Sequence, residues 1–236
     1  MESATQHLAS VRARIAAAAG RAGRDPASVQ LIAVTKTVAP ERVEEALVAG
    51  LTVFGENKVQ EAKAKIPLVS SRAHWHMVGH LQSNKARDAV ALFELIHSVD
   101  SVKLATELNK WADQAGKTQP ILLEVNVAGE ASKFGLQPGD AEPALAEINK
   151  LPRLEVRGLM TIAPFCEEPE QVRPYFRQLR GLRDQLSLPE LSMGMTHDFE
   201  IAIEEGATMV RIGTAIFGER HRSNSEGEAP AEPLAD

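Results

Sequence analysis

One lysine stands where an amine could do covalent chemistry. Lys36 directly follows the apolar run LIAVT, which is typical of a buried strand. Burying an ammonium group is costly, so burial favours the neutral amine, the form that attacks carbonyl carbons. Lys36 is therefore a candidate for a Schiff base with an aldehyde or ketone. The alternative is that its amine reaches the rim of the fold and pairs with Glu56 or Glu124.

A second group of residues could bind phosphate. Ser192 and Gly194 follow one short apolar segment, and Gly213 and Thr214 follow the next. Glycines let backbone N–H groups approach phosphate oxygens, and hydroxyl groups add further donors; the alternative is that the glycines only make tight turns. Together with the lysine, these residues predict a ligand that carries both an aldehyde and a phosphate. Pyridoxal 5′-phosphate (PLP) meets that description, and so does a phosphosugar.

Other polar residues carry weaker signals. Asn57 follows Gly-Glu after the second predicted strand, where it could bond to a ligand ring or to the lysine, or cap the next helix. His74, His76 and His80 raise the possibility of a metal site, but the sequence offers no convincing further ligand. Their role is left open.

The elements that would position these residues alternate strictly between strands and helices. A first helix, opened by Ser3 and ended by Gly23, precedes the alternation. Strands are predicted at 30–35, 51–54, 74–78, 92–98, 120–127, 154–160, 190–193 and 208–212. Helices are predicted at 40–49, 57–65, 84–91, 102–114, 141–150, 169–186, 198–205 and 214–217.

This alternation predicts an α/β fold, a single (β/α)8 TIM barrel with an extra N-terminal helix. The rival is an open doubly wound sheet, but the glycine-rich turn expected after its first strand is missing, since the chain reads TKTV there. In a closed barrel the eighth strand neighbours the first. Lys36 and the phosphate-binding residues would then face one pocket at the carboxyl ends of the strands.

Composition sets the boundaries and excludes some functions. Of the 236 residues, we assign 1–222 to the barrel and 223–236 to an acidic disordered tail, which carries four acids and no base. The formal net charge is −6 and no basic face is evident, so nucleic-acid binding is not expected. The single cysteine, Cys166, allows no internal disulfide. With no apolar run suited to a bilayer, we expect a cytoplasmic protein without a membrane contact.

An ordered set of motifs resembles the pyridoxal phosphate homeostasis proteins, also called the proline synthetase co-transcribed family. The matching segments are LIAVTKTVAPERVEEALVAG, FGENKVQEAKAK, WHMVGHLQSNKA, HSVDSVKLATELN, EVNVAGEASKFGL, RGLMTIAP and LSMGMTHDFEIAIEEGATMVRIGTAIFGER. The resemblance implies a fold like the N-terminal barrel of alanine racemase, without its second domain. It also implies PLP on Lys36, phosphate contacts from the glycines and hydroxyls named above, and Arg211 beside the pyridine nitrogen.

The function that the resemblance implies is PLP homeostasis, by storage of the cofactor and supply to apo PLP-dependent enzymes, without an established reaction. A racemase needs a second acid or base on the opposite face of the cofactor. The only tyrosine, Tyr175, lies in the predicted helix 169–186, and an arginine at the ring nitrogen weakens PLP as an electron sink. We expect a non-enzymatic monomer; the alternatives are a PLP-dependent amino-acid racemase and a Schiff-base aldolase.

Overall fold

Eight parallel strands close into a barrel in chain order, because β8 pairs with β1 as well as with β7. The computed structural model describes residues 4–130 and 133–218. The strands are β1 (Gln30–Val34), β2 (Val53–Glu56), β3 (His74–Met77), β4 (Leu95–Val99), β5 (Gln119–Glu124), β6 (Leu154–Met160), β7 (Glu190–Ser192) and β8 (Met209–Ile212). The closure confirms the predicted α/β barrel and rules out the open sheet.

Helices surround this barrel. They are α1 (Ala4–Arg21), α2 (Pro40–Val48), α3 (Val59–Lys65), α4 (Ala86–Leu92), α5 (Val102–Gln114), α6 (Ala141–Ile148), α7 (Arg173–Gln185), α8 (Phe199–Glu204) and α9 (Thr214–Phe217). The first is the predicted extra helix: its stripe of Leu8, Val11 and Ile15 is buried, and it packs against α8 and α9. Among the helices of the described residues, none combines the length and the hydropathy that crossing a bilayer requires.

Several predicted boundaries were wrong by a few residues. Strand β2 begins at Val53 instead of residue 51, and β4 begins at Leu95 instead of residue 92, because buried apolar residues in the preceding loop and in α4 extend each apolar run without pairing in the sheet. The predicted helix 169–186 begins as a separate 3-10 turn, Pro169–Val172, before α7. Ser3 and the segment 223–236 lie outside the described residues.

The core has two layers. A small inner cluster fills the barrel with side chains from the strands and from the residue directly after β3: Ile32, Val78, Leu95, Leu122, Met160 and Met209. A larger cluster lies between the strands and the helices. Above the inner cluster, buried polar residues gather at the carboxyl ends of the strands, among them Thr35, Glu56, His97, Ser192 and Arg211. A barrel has its functional site at that end.

Candidate functional site

Lys36 lies in a turn at the carboxyl end of β1, where it was predicted, and is half-buried. The turn is fixed to the sheet because the Thr35 amide donates to the Gly55 carbonyl at 2.9 Å. Thr37 follows with φ = +63°, the left-handed region that β-branched residues rarely adopt. The surrounding contacts must hold this strained backbone, which lies directly next to the lysine.

A buried ion pair lies against this turn. The Lys65 ammonium, at the end of α3, bonds to Glu56 Oε1 at 2.6 Å, to the Thr35 carbonyl at 2.5 Å and to Glu61 Oε1 at 2.9 Å. Glu56 is fully buried at the end of β2, and burial raises the pKa of its carboxyl group against the hydrogen bonds from Lys65 and Thr35. Glu56, named from the sequence as a possible partner for Lys36, is thus engaged by Lys65.

The loops after β7 and β8 meet where the phosphate site was predicted. Gly194 has φ = +92°, and its carbonyl accepts from the Arg211 amide at 3.0 Å. A Cβ at Gly194 would lie 2.5 Å from the Cβ of Ala202, so only glycine fits. The hydroxyls of Thr214 and Thr196 lie 3.2 Å apart at the same corner. The sequence reasoning missed Thr196, although its position two residues after Gly194 was a usable signal.

Gly213 joins this corner to β1. A Cβ at Gly213 would lie 3.2 Å from the carbonyl oxygen of Val34, the last residue of β1. Gly213 also caps α9, accepting from the amides of Ile216 and Phe217. The β8 loop therefore runs beside β1, the strand that leads into the Lys36 turn.

Arg211 is buried beneath the mouth of the barrel. It is 4% exposed, and its guanidinium donates to Ser192 Oγ at 2.6 Å and to the Thr161 carbonyl at 2.8 Å. Burial lowers its pKa to about 10, opposed by the charges of Asp198 and Glu124. The Ser192 hydroxyl, predicted to face phosphate, is therefore bonded to the arginine in this structure.

Two buried histidines continue this network. His97 Nδ1 lies 2.9 Å from Ser192 Oγ, and His97 Nε2 lies 3.0 Å from His76 Nδ1. Burial lowers the pKa of His76 to about 4 and that of His97 well below its usual value. Both rings are therefore neutral near pH 7 and can each donate one hydrogen bond and accept another. His97 was also missed from the sequence, where it reads as a polar residue inside a largely apolar strand.

The other two histidines named from the sequence have different partners. His74 Nδ1 lies 2.9 Å from Glu94, and His80 stacks on Phe134 with ring centroids 3.5 Å apart. Within residues 4–130 and 133–218, no group of three or more His, Cys, Asp or Glu side chains could hold a metal ion.

Asn57 directly follows β2 and is half-buried. It does not cap the next helix, because α3 has Lys58 as its N-cap residue, so that alternative is wrong. A Cβ at Gly79 would lie 2.5 Å from the Asn57 carbonyl oxygen, so the loop after β3 approaches it closely. This approach fixes the backbone of Asn57 at the mouth of the barrel.

Glu124 closes the opposite side of the mouth, at the end of β5. Burial raises its pKa to about 7; the charge of Asp100 raises it further and Arg211 opposes the shift. A cavity of about 140 Å³ opens beside it, lined by Glu124, Val125, Asn126, Lys133, Phe134 and Ile162. The Oε2 atom of Glu124 and the Oδ1 atom of Asn126 have no hydrogen-bond partner among the described residues.

The fold and the site define one class of protein. The model of the "Alanine racemase, N-terminal domain" family matches residues 6–221. An alanine racemase from Clostridium difficile has the same fold at 13% identity, with a TM-score of 0.65 over 83% of this chain and 54% of that one.

Nearer relatives narrow the class. A pyridoxal phosphate homeostasis protein of Aquifex aeolicus is 47% identical over 92% of this chain and 98% of its own length. The Escherichia coli K12 protein of that name is 42% identical, covering 94% and 99%. The chain belongs to the pyridoxal phosphate homeostasis protein family. The solved structure of PipY from Synechococcus elongatus with PLP bound is 38% identical, with a TM-score of 0.81 over 91% of this chain and all of that one.

Proposed function

We propose that this protein holds PLP as a Schiff base on Lys36 and serves intracellular PLP homeostasis by storing the cofactor and supplying it to apo PLP-dependent enzymes. The observation that carries the proposal is the pairing of β8 with β1. That pairing brings the loop of Gly213 beside β1, the strand that leads into the Lys36 turn. One ligand can then reach an amine with its aldehyde and a glycine-lined corner with its phosphate. The name of the relatives and the PLP bound to PipY support the same ligand.

The residues of the site have separate roles in this proposal. Lys36 supplies the amine. Asn57 lies at the end of β2, the next strand, within the mouth. Gly194 and Gly213 leave room for phosphate oxygens against the backbone, and the hydroxyls of Thr214 and Thr196 add donors. PLP, when bound, supplies the aldehyde and the aromatic ring.

Arg211 and Ser192 act beneath the ligand. In the proposal Arg211 lies by the pyridine nitrogen, where a cation disfavours protonation of the ring. Ser192 accepts from the guanidinium and orients it, in addition to the phosphate contact predicted from the sequence. An unprotonated ring stabilises a carbanion poorly.

The absence of catalysis is part of the proposal. Tyr175, the one tyrosine of the chain, lies in the first turn of α7, where it packs half-buried against the outer layer of the core. When the PLP-loaded protein is incubated with L-alanine in D2O, the α-proton of the alanine should exchange with solvent no faster than it does with free PLP. Exchange at an enzymatic rate would identify a racemase-type activity instead.

Lys36→Ala tests the covalent link. The wild-type protein mixed with PLP should show a visible absorption band, and borohydride reduction followed by peptide mass mapping should find the added mass on Lys36. Lys36→Ala should lose the band completely, while Lys58→Ala, a change at an exposed lysine near the site, should keep it. A band retained in Lys36→Ala, or mass on another lysine, would contradict the proposal.

Supply to enzymes is tested by transfer. The purified, PLP-loaded protein should reactivate an apo PLP-dependent enzyme faster than free PLP at the same concentration does. That concentration is kept below the dissociation constant of the enzyme for PLP. In a separate measurement, sedimentation of the loaded protein should give the mass of a single chain. Reactivation that only follows the free PLP in solution would leave storage without direct supply and so contradict that part of the proposal.

A further inference from the structure

The Lys65 ammonium has its full set of hydrogen-bond partners. Its three N–H groups match three acceptors, which are Glu56 Oε1, Glu61 Oε1 and the carbonyl of Thr35. The side chain is 6% exposed, although it ends a short surface helix. A lysine is seldom buried unless a specific geometry holds it there.

These bonds fix the backbone on both sides of Lys36. Before it, the Thr35 carbonyl accepts from Lys65, and the Thr35 hydroxyl donates to Glu56 Oε1 at 2.6 Å. After it, the Thr37 amide donates to Glu61 Oε1 at 2.6 Å, the same oxygen that Lys65 holds. One ammonium therefore organises the contacts that hold the turn, including the left-handed Thr37.

Stability alone is a weak reason for such an arrangement. A buried ion pair costs nearly as much in lost hydration as it returns in attraction, and an apolar residue could close the end of α3 at least as well. A charged group with directional bonds does what an apolar contact cannot, because it fixes the orientation of two peptide groups. The peptide groups fixed here are those that flank the proposed Schiff-base lysine.

We propose that Lys65 is a positioning residue for Lys36, which holds the Thr35–Thr37 turn so that the amine meets the aldehyde of PLP at a productive angle. The inference rests on the proposed function. In the step that it assists, the Lys36 nitrogen forms a bond to the aldehyde carbon, and the carbonyl oxygen leaves as water with two hydrogens from the amine. No oxidant or reductant is required. A misplaced amine slows this step without changing how the phosphate and ring are held.

Lys65→Met is the direct test, with Lys63→Met as its control. Lys63 lies on the same helix, with a side chain that is 64% exposed and pairs only with Asp88 among the described residues. Apo protein is mixed with PLP, and the rate at which the visible band appears is followed by stopped flow. The affinity for pyridoxine 5′-phosphate, which has an alcohol in place of the aldehyde, is measured separately.

Lys65→Met should slow the appearance of the band by about ten-fold or more. Its affinity for pyridoxine 5′-phosphate should stay within about three-fold of the wild-type value, and Lys63→Met should change neither quantity. Formation of the band at the wild-type rate would overturn the inference. A loss of affinity for pyridoxine 5′-phosphate as large as the loss of rate would overturn it too, because Lys65 would then support the whole site.

Glu61→Ala serves if Lys65→Met does not fold. The Glu61 side chain is 26% exposed, so its removal should be tolerated while the Thr37 amide loses its acceptor. The band should appear more slowly than in Gln60→Ala, a change at an exposed neighbour, and equal rates in the two variants would overturn the inference. A wild-type protein that forms no band at all would instead contradict the proposed function.

Discussion

Two corners of the barrel mouth are built by different means. The lysine corner, made by the turn Thr35–Thr37 with Glu56, Glu61 and Lys65, is held by charged side chains that bond to peptide groups. The glycine corner, made by Gly194, Thr196, Gly213 and Thr214, is shaped by backbone geometry and leaves space where side chains would be. An amine that must form a bond needs its direction fixed, whereas an anion needs N–H groups and room.

This difference predicts different failures. A change in the glycine corner should act through sterics and backbone conformation and should be largely independent of pH and salt. A change in the lysine corner should act through an unpaired buried charge. The following substitutions are ordered by the size of the expected effect.

Gly194→Ala should have the largest effect on stability. Its Cβ would lie 2.5 Å from the Cβ of Ala202 and 2.9 Å from the Cα of Phe199, at φ = +92°. The overlap and the strained backbone together should lower the free energy of unfolding by about 4 kcal/mol, measured by urea denaturation. Gly181→Ala is the control: it lies within α7 with open space around it and should stabilise the protein by about 0.5–1 kcal/mol. Similar results for the two variants would contradict the steric account.

Glu56→Gln should destabilise the lysine corner by removing a charge, without changing the shape of the side chain. The substitution keeps the size of the side chain but leaves Lys65 with a single carboxylate partner, Glu61. The free energy of unfolding should fall by about 3 kcal/mol, and the double variant Glu56→Gln/Lys65→Met should recover part of this loss because no unpaired charge remains. Glu45→Gln, an exposed change on α2, should have little effect. Strictly additive losses would show that the two side chains are not coupled.

Glu124 gives the mouth a pH dependence of its own, outside the two corners. Its pKa is about 7 in the folded protein against an ordinary value of 4.5, because it is buried. As the pH rises from 4.5 to 7, the unfolded chain loses a proton that the folded protein keeps, so this group lowers the stability by about 2–3 kcal/mol. Below pH 4.5 Glu124 is protonated in both the folded and the unfolded state, so it does not lower the stability there.

Glu124→Gln should therefore be about 2–3 kcal/mol more stable than the wild type at pH 8 and equally stable near pH 4. The measurement is urea denaturation across that pH range. Glu155→Gln, at an exposed position on β6, should show no such divergence. A constant difference between Glu124→Gln and the wild type at all pH values would contradict the raised pKa.

The glycine corner could be predicted from the sequence better than the lysine corner. Glycines and hydroxyl residues after the last two strands indicate a phosphate-binding loop from the local sequence alone. The bounds of β6 and α9 were also predicted correctly. Lys65 carries no such local signal. A lysine in the last turn of a helix is ordinarily solvated, and its charge interacts favourably with the helix dipole. Only the packing of α3 against the ends of β1 and β2 gives it buried partners.

His97 shows the same limit within the sheet. The strand predictions placed it inside an apolar run, but its partners Ser192 and His76 are 95 and 21 residues away along the chain. Contacts across the barrel interior depend on the register of non-adjacent strands, and the start of β4 was predicted three residues too early. The residues proposed to face the ligand were thus easier to name from the sequence than those that hold them in place.

Thr37→Gly should have the smallest effect. It separates the backbone strain at Thr37 from the hydrogen bonds that hold the lysine corner. Glycine accepts φ = +63° freely, but it also makes the unfolded chain more flexible, so the two contributions should nearly cancel, to within about 1 kcal/mol. Ser187→Gly is a matched control, because Ser187 has φ = +54° in the turn after α7 and should respond alike in urea denaturation. The rate of band formation with PLP should stay close to the wild-type value in both, since the Thr37 backbone amide still bonds to Glu61. A large loss of rate in Thr37→Gly alone would show that the threonine side chain, and not the backbone bonds around it, holds the lysine corner in place.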